Sequence, residues 1–271
     1  MKKIMKKIKN NAGVSLVELL IGLFLAGLVT ASVFEVYINQ HKNWVIQDDV
    51  TNIQQNGRAA IDELSRQLRM AGHALPAGIK SIEAYDTNPD TIVINYVSNG
   101  CDATVSDPMP RPSAELKFLG QDISCFYDDQ WAYIWDPVAQ TGEFFMITEV
   151  QGAAYHIQHR TMSLSKKYDK GAILLSLSRL KYYIDYSDSL HPNMMLEIPG
   201  LGASVYAENI EDLQFRYTMR NGNIYNTPPI IEDIREIEIT VNARSDRPDI
   251  DFEDEPYRYR EYSTKVNMRN L

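Results

Sequence analysis

From Gly13 to Phe34 the chain runs Gly-Val-Ser-Leu-Val-Glu-Leu-Leu-Ile-Gly-Leu-Phe-Leu-Ala-Gly-Leu-Val-Thr-Ala-Ser-Val-Phe, an apolar stretch with one carboxylate, Glu18, inside it. As a helix, residues 14–34 would be about 30 Å long, which matches the hydrocarbon core of a bilayer. A carboxylate inside such a helix costs about 2.5–3.5 kcal/mol on insertion scales, so its presence calls for a partner. The partner that suits Glu18 is a cation on a neighbouring chain. The bland alternative is an incidental acid near a membrane interface, under which Glu18→Ala changes nothing.

The residues before the run sharpen this. Residues 1–13 hold Lys2, Lys3, Lys6, Lys7 and Lys9 and no acid. Such a cluster belongs on the cytoplasmic side of a membrane, which predicts translocation of everything after the run. Without those five lysines the net charge moves from −9 to −14, and an acidic domain argues against nucleic-acid binding through bulk electrostatics. An ordinary secretory signal places its small-residue cleavage site after the apolar run. Here the small residue, Gly13, comes first, so cleavage after it would leave the run in the mature protein.

Beyond Phe34, Ile46, Val50, Ile53, Gly57, Ile61, Leu64, Leu68 and Ala71 recur at spacings of three and four, with Gln, Asn, Asp and Arg on the other face. Ala71-Gly72 followed by Pro76 supplies a stop. One helix over 14–71, roughly 85 Å long, is predicted. Gly57 in its middle costs about 1 kcal/mol against Ala, which a close approach of helix to sheet would explain.

After residue 76 the pattern turns to short period-two or fully apolar runs. The predicted strands are 91–97, 115–119, 131–135, 143–150, 173–178, 180–185, 194–198, 213–219, 234–241 and 257–266. Segments 107–112, 137–142, 221–222, 228–229 and 247–248 punctuate them with Pro, Gly and Asn. The fold class is α+β: a long N-terminal helix, with a transmembrane half and an amphipathic half, packed on an antiparallel sheet. The expected organisation is a leader at 1–13, an apolar helix at 14–34, an amphipathic helix at 35–72 and a β-rich head at 73–271, with 76–170 as a variable insertion.

The two cysteines, Cys101 and Cys125, both fall in the translocated part, where oxidation is permitted. One disulfide is predicted, worth about 3–4 kcal/mol in the chain-entropy model; two buried free thiols are the alternative, and a metal pair is weaker still. His156 and His159 lie three apart with no Glu between them, unlike a zincin's helical pair. Asp249, Asp251 and Glu253 lie in an acidic run that offers oxygen ligands for calcium but lacks the EF-hand glycine, so a solvated loop is the favoured reading. There is no phosphate-cradling loop, dinucleotide fingerprint or nucleophile elbow, and an enzyme is the least favoured class. No cofactor is expected.

The order of basic leader, Gly13, Val14, then Ser15-Leu16-Val17-Glu18 resembles the class III signal of type IV prepilins and type II secretion pseudopilins. The resemblance implies cleavage after Gly13 by a prepilin peptidase, N-methylation of the new Val14 amine, and a role for Glu18 in setting subunit register. The α-amine has a reference pKa near 8 and is mostly cationic at neutral pH, so the amine of one subunit can neutralise the acid of the next. Val14 stands where most members carry Phe, and Glu35 where many major pilins carry Pro; Gly27 matches a glycine common in this helix.

Residues 55–72, with Asn56-Gly57-Arg58 and Leu68-Arg69-Met70-Ala71-Gly72, resemble PilW-like minor pilins, as do Ala207–Tyr217 and the pairs 234–244 and 262–270. The resemblance implies a minor pilin that primes or caps a type IV pilus. Its partners would be other minor pilins, the major pilin and the inner-membrane assembly platform. It would be a single-pass protein of the bacterial inner membrane with a periplasmic head, passing into the filament or its tip. A J-type pseudopilin of type II secretion is the runner-up, and a membrane-anchored adhesin with its binding surface in 76–170 is the third reading.

Overall fold

The computed structural model describes residues 14–159, 163–249 and 256–271. The chain falls into two compact units, Met1–Asp49 and Val50–Leu271. The helix α1 (Leu16–Met70) is a single element of 55 residues.

Over Leu16–Phe34, in the first unit, α1 is apolar nearly all round and its side chains lie open: Leu16 is 77% exposed and Phe24 66%. Two hydroxyls in this stretch bond back into the helix, Thr30 Oγ1 to the Ala26 carbonyl (2.7 Å) and Ser32 Oγ to that of Leu28 (3.0 Å). Such back-bonding satisfies polar groups without a partner outside the helix.

In the second unit the amphipathic stripe is buried: Ile53, Ala60, Leu64, Leu68 and Ala71 join one core with residues of both sheets. Gly57 faces Tyr262, and a Cβ there would lie 2.3 Å from the ring; the close approach accounts for a glycine in a helix interior. The helix ends at Met70 and is closed by Gly72, whose φ of +82° is the left-handed conformation of a C-terminal cap. Its amide donates to the Asn95 carbonyl (3.0 Å), while the Asn270 amide caps the Arg69 carbonyl (3.1 Å). The end of the chain thus closes the end of the helix.

The strands form two antiparallel sheets, in keeping with the expected α+β layout. The larger contains β1 (Ile82–Tyr85), β2 (Thr91–Thr104), β3 (Leu116–Lys117), β4 (Trp131–Asp136), β5 (Thr141–Gln151), β6 (His156–His159), β7 (Ile173–Asp185), β8 (Asn193–Ile198) and β9 (Gly202–Ala207). Its main path is β1-β2-β7-β4-β5-β6-β3. β7 pairs β2 along one edge; its other edge takes β4 at residues 173–175 and β8 at 181–185. The smaller sheet has the order β11-β10-β12-β13, from β10 (Ile210–Met219), β11 (Ile224–Tyr225), β12 (Ile234–Arg244) and β13 (Tyr259–Asn267). Leu213 lies opposite Val241, Phe215 opposite Ile239 and Tyr217 opposite Ile237. These inward pairs follow from period-two alternation and seal one face of the sheet.

The structure corrects the strand reading in two ways. Residues 173–178 and 180–185 are one strand, β7, because the charge of Arg179 between them is met within the sheet: its Nη1 lies 2.5 Å and its Nη2 3.1 Å from the Glu83 carboxylate. The elements β1, β6, β9 and β11 lay outside the predicted set. A second core, centred on Cys101, Phe118, Ile134, Ile147 and Leu174, sits apart from the one against α1.

Candidate functional site

The start of α1 concentrates the predicted site residues. Gly13 lies outside the described residues. Val14 is 73% exposed. Ser15 and Glu18 form a reciprocal cap: the Glu18 amide donates to Ser15 Oγ (3.2 Å), and the Ser15 amide donates to Glu18 Oε2 (3.2 Å). This is a capping box, in which two helix-start donors without intrahelical partners are satisfied by each other's side chains. The carboxylate also stands in the first turn, where the helix dipole favours an anion. Glu18 therefore has an intrachain role that sequence reasoning missed, although the Ser-x-x-Glu spacing before an apolar run announces it.

Farther along the first unit, Tyr37, His41 and Trp44 form an exposed ladder, with successive ring centroids 6.2 Å apart. Spacings of four and three place them on one face. The ladder follows an apolar stretch that is long and apolar enough to cross a membrane, and aromatic residues of this kind favour the membrane–water boundary.

Cys101 and Cys125 form the expected disulfide, with Cα atoms 5.9 Å apart. The histidine pair lies on β6: His156 Nδ1 is 3.2 Å from Glu115, and His159 Nε2 is 2.7 Å from the Ala114 carbonyl. Asp249 pairs with Arg258 at 2.5 Å; Asp251 and Glu253 lie outside the described residues. Among the described residues no cluster of three or more His, Cys, Asp or Glu side chains could hold a metal ion.

The second unit holds a buried polar network that the sequence concealed. Glu63, 7% exposed, accepts hydrogen bonds from Gln67 (2.8 Å), Tyr182 (2.9 Å) and Arg66 (2.5 Å), while Tyr96 donates to Gln67 (2.9 Å). Burial pushes the Glu63 carboxyl up, but the bonds from Gln67, Arg66 and Tyr182 outweigh it and hold the group below its ordinary value. Burial, with the nearby Glu63 charge, drives the Tyr182 hydroxyl well above the usual phenol range. The network joins helix to sheet and is fully paired, which suits structure rather than chemistry. A cleft of about 500 Å³ on the larger sheet is lined by Tyr85, Thr91, Val93, Arg179, Lys181 and Glu197, among others. Its cations are also matched, Arg179 by Glu83 and Lys181 by Glu197 at 2.8 Å.

No protein-family model matches the chain, and no curated protein sequence matches it.

Proposed function

We propose that this chain is a minor pilin of the PilW-like class, cut after Gly13 and built into a type IV pilus as part of a priming or capping complex. The observation that supports this best is the open apolar face of α1: sixteen large apolar or aromatic side chains between Val14 and Ile38 are each more than half exposed. Surface of that extent calls for lipid or other polypeptides. A filament subunit uses both in turn, first in the inner membrane and then in a bundle of like helices. Under this reading the head enters the periplasm, where Cys101 and Cys125 oxidise, and the lysine leader stays cytoplasmic until the peptidase removes it. The head acts through its contacts with other minor pilins and the major pilin rather than through catalysis.

Glu18 then has two duties: it caps its own helix, and its charge meets the Val14 ammonium of a neighbour. Three variants separate them. Ser15→Ala removes the hydroxyl half of the cap and keeps the charge. Glu18→Gln keeps a side chain suited to a capping box and removes the charge. Glu18→Ala removes both. Register set by charge predicts that Glu18→Gln and Glu18→Ala stay in the membrane and fall at least tenfold in sheared filaments, while Ser15→Ala assembles. Recovery of Glu18→Gln in filaments at the wild-type level would reduce Glu18 to a helix cap.

A further inference from the structure

A carboxylate taken out of water needs an opposite charge on the chain, a metal ion or a proton. Asp90 directly precedes β2 and is 3% exposed. Its backbone amide donates to the Leu213 carbonyl on β10 (2.8 Å), and its Oδ2 accepts the Phe215 amide from the same strand (2.8 Å). A single residue at the margin of the larger sheet thus ties down the backbone of the smaller one. Oδ1 is placed differently. It is buried and has no hydrogen-bond partner among the described residues.

No opposite charge meets it. Asp90 enters none of the salt bridges among the described residues. The charged side chains that bear on it have its own sign: Asp86, in the connection between β1 and β2, and Asp212 on β10. Tyr217 on β10 is a buried phenol, driven up by its burial and by the Asp90 and Asp86 charges. No group of three or more metal-ligating side chains among the described residues could supply a metal ion. The proton is left. Burial pushes the Asp90 carboxyl up. The amides of Phe215 and Thr87 pull it down, the charges of Asp86 and Asp212 push it up again, and it settles above its ordinary value.

We propose that Asp90 is a proton-operated latch between the two sheets, closed against β10 when protonated and loosened when ionised. The ionised form needs water or a donor at Oδ1, which the closed seam denies it. The folded carboxyl lies above its ordinary value of 3.8. Its stabilisation is therefore complete below that pH and is lost as pH rises through the folded value. Glu63 runs the other way, because its partners favour the charged form. Acid thus tightens the seam between the sheets while it weakens the network that joins helix to sheet. None of this depends on the filament reading.

Urea unfolding of the full chain in detergent, from about pH 4 to about pH 7, tests the latch against Asp90→Asn. That variant keeps an oxygen for the Phe215 amide and carries no charge. The wild-type unfolding constant, divided by that of Asp90→Asn, should rise by about tenfold or more across the range, since one pKa unit is a factor of ten. Effects common to both chains, that of Glu63 included, cancel in the ratio. A ratio that stays level or falls as pH rises overturns the proposal. So does calcium or magnesium that raises the wild-type midpoint at neutral pH and not that of Asp90→Asn, because the neutraliser would then be a metal ion. Should Asp90→Asn fail to fold, amide exchange in the unsubstituted chain decides. Protection of the Phe215 amide, corrected for the intrinsic pH dependence of exchange, should be several-fold higher at the acid end of the range. Equal protection at both ends overturns the latch.

Discussion

The two parts of α1 use similar residues to opposite ends. Leu20 and Leu28 in the first unit are 55% and 52% exposed, whereas Leu64 and Leu68 in the second are fully buried. Backbone geometry and helix propensity are shared, so neither explains the difference. What differs is whether the chain itself supplies cover. Burying one such side chain is worth about 1.5–3 kcal/mol, and the second unit collects that from its own sheets. The first unit collects it only from something else, and this is why its apolar residues specify an environment while those of the second specify a fold.

The sharpest way to break that comparison is to truncate a leucine on each side of it. Leu64→Ala should destabilise the head by about 2–5 kcal/mol, the range for a buried leucine that leaves a cavity. Leu20→Ala in detergent should leave the head's denaturation midpoint where it was. Equal losses at the two positions would mean that the first unit is covered by the chain after all. Next in size is the disulfide. Cys101→Ser should cost about 3 kcal/mol, the chain-entropy value for a loop of this length. The loss should appear first as faster amide exchange around the second core, at Phe118 and Ile134, with α1 following only on global unfolding.

The smallest expected effect sharpens the contrast within α1. Glu63→Gln places an amide donor among groups that already donate, and should cost about 1–3 kcal/mol at neutral pH. Because the folded carboxyl lies below its ordinary value of 4.5, its stabilisation is present above that pH and is lost as pH falls through the lower folded value. The gap between wild type and Glu63→Gln in urea titrations should therefore narrow with acidification. A gap that stays constant down to the acid limit would remove Glu63 from the account of head stability.

Much of this architecture was legible because it is written in local patterns. The apolar run, the three-and-four stripe and Gly72 outlined a helix within two residues of its observed ends, Leu16 and Met70. Period-two alternation outlined β10 and β12, and Gly57 pointed to a close contact that proves to be Tyr262. The misses are of another kind. β9 escaped notice because its small residues carry little strand signal, and β7 was divided at Arg179, whose partner Glu83 lies 96 residues away. The burial of Glu63 went unread, since the hydroxyl that justifies it is 119 residues distant on Tyr182. The Ser15–Glu18 cap was local and readable, but the oddity of an acid in hydrocarbon drew attention to outside partners first.

The claim beneath all of this is that the open half of α1 starts a mature chain and is covered by other molecules. Amino-terminal sequencing combined with intact mass of the protein recovered from membranes tests it most directly. The account predicts a chain that begins at Val14, bears one methyl group on its amine and has lost the five leader lysines. A chain that retains Met1, or one that begins beyond residue 34, would contradict it.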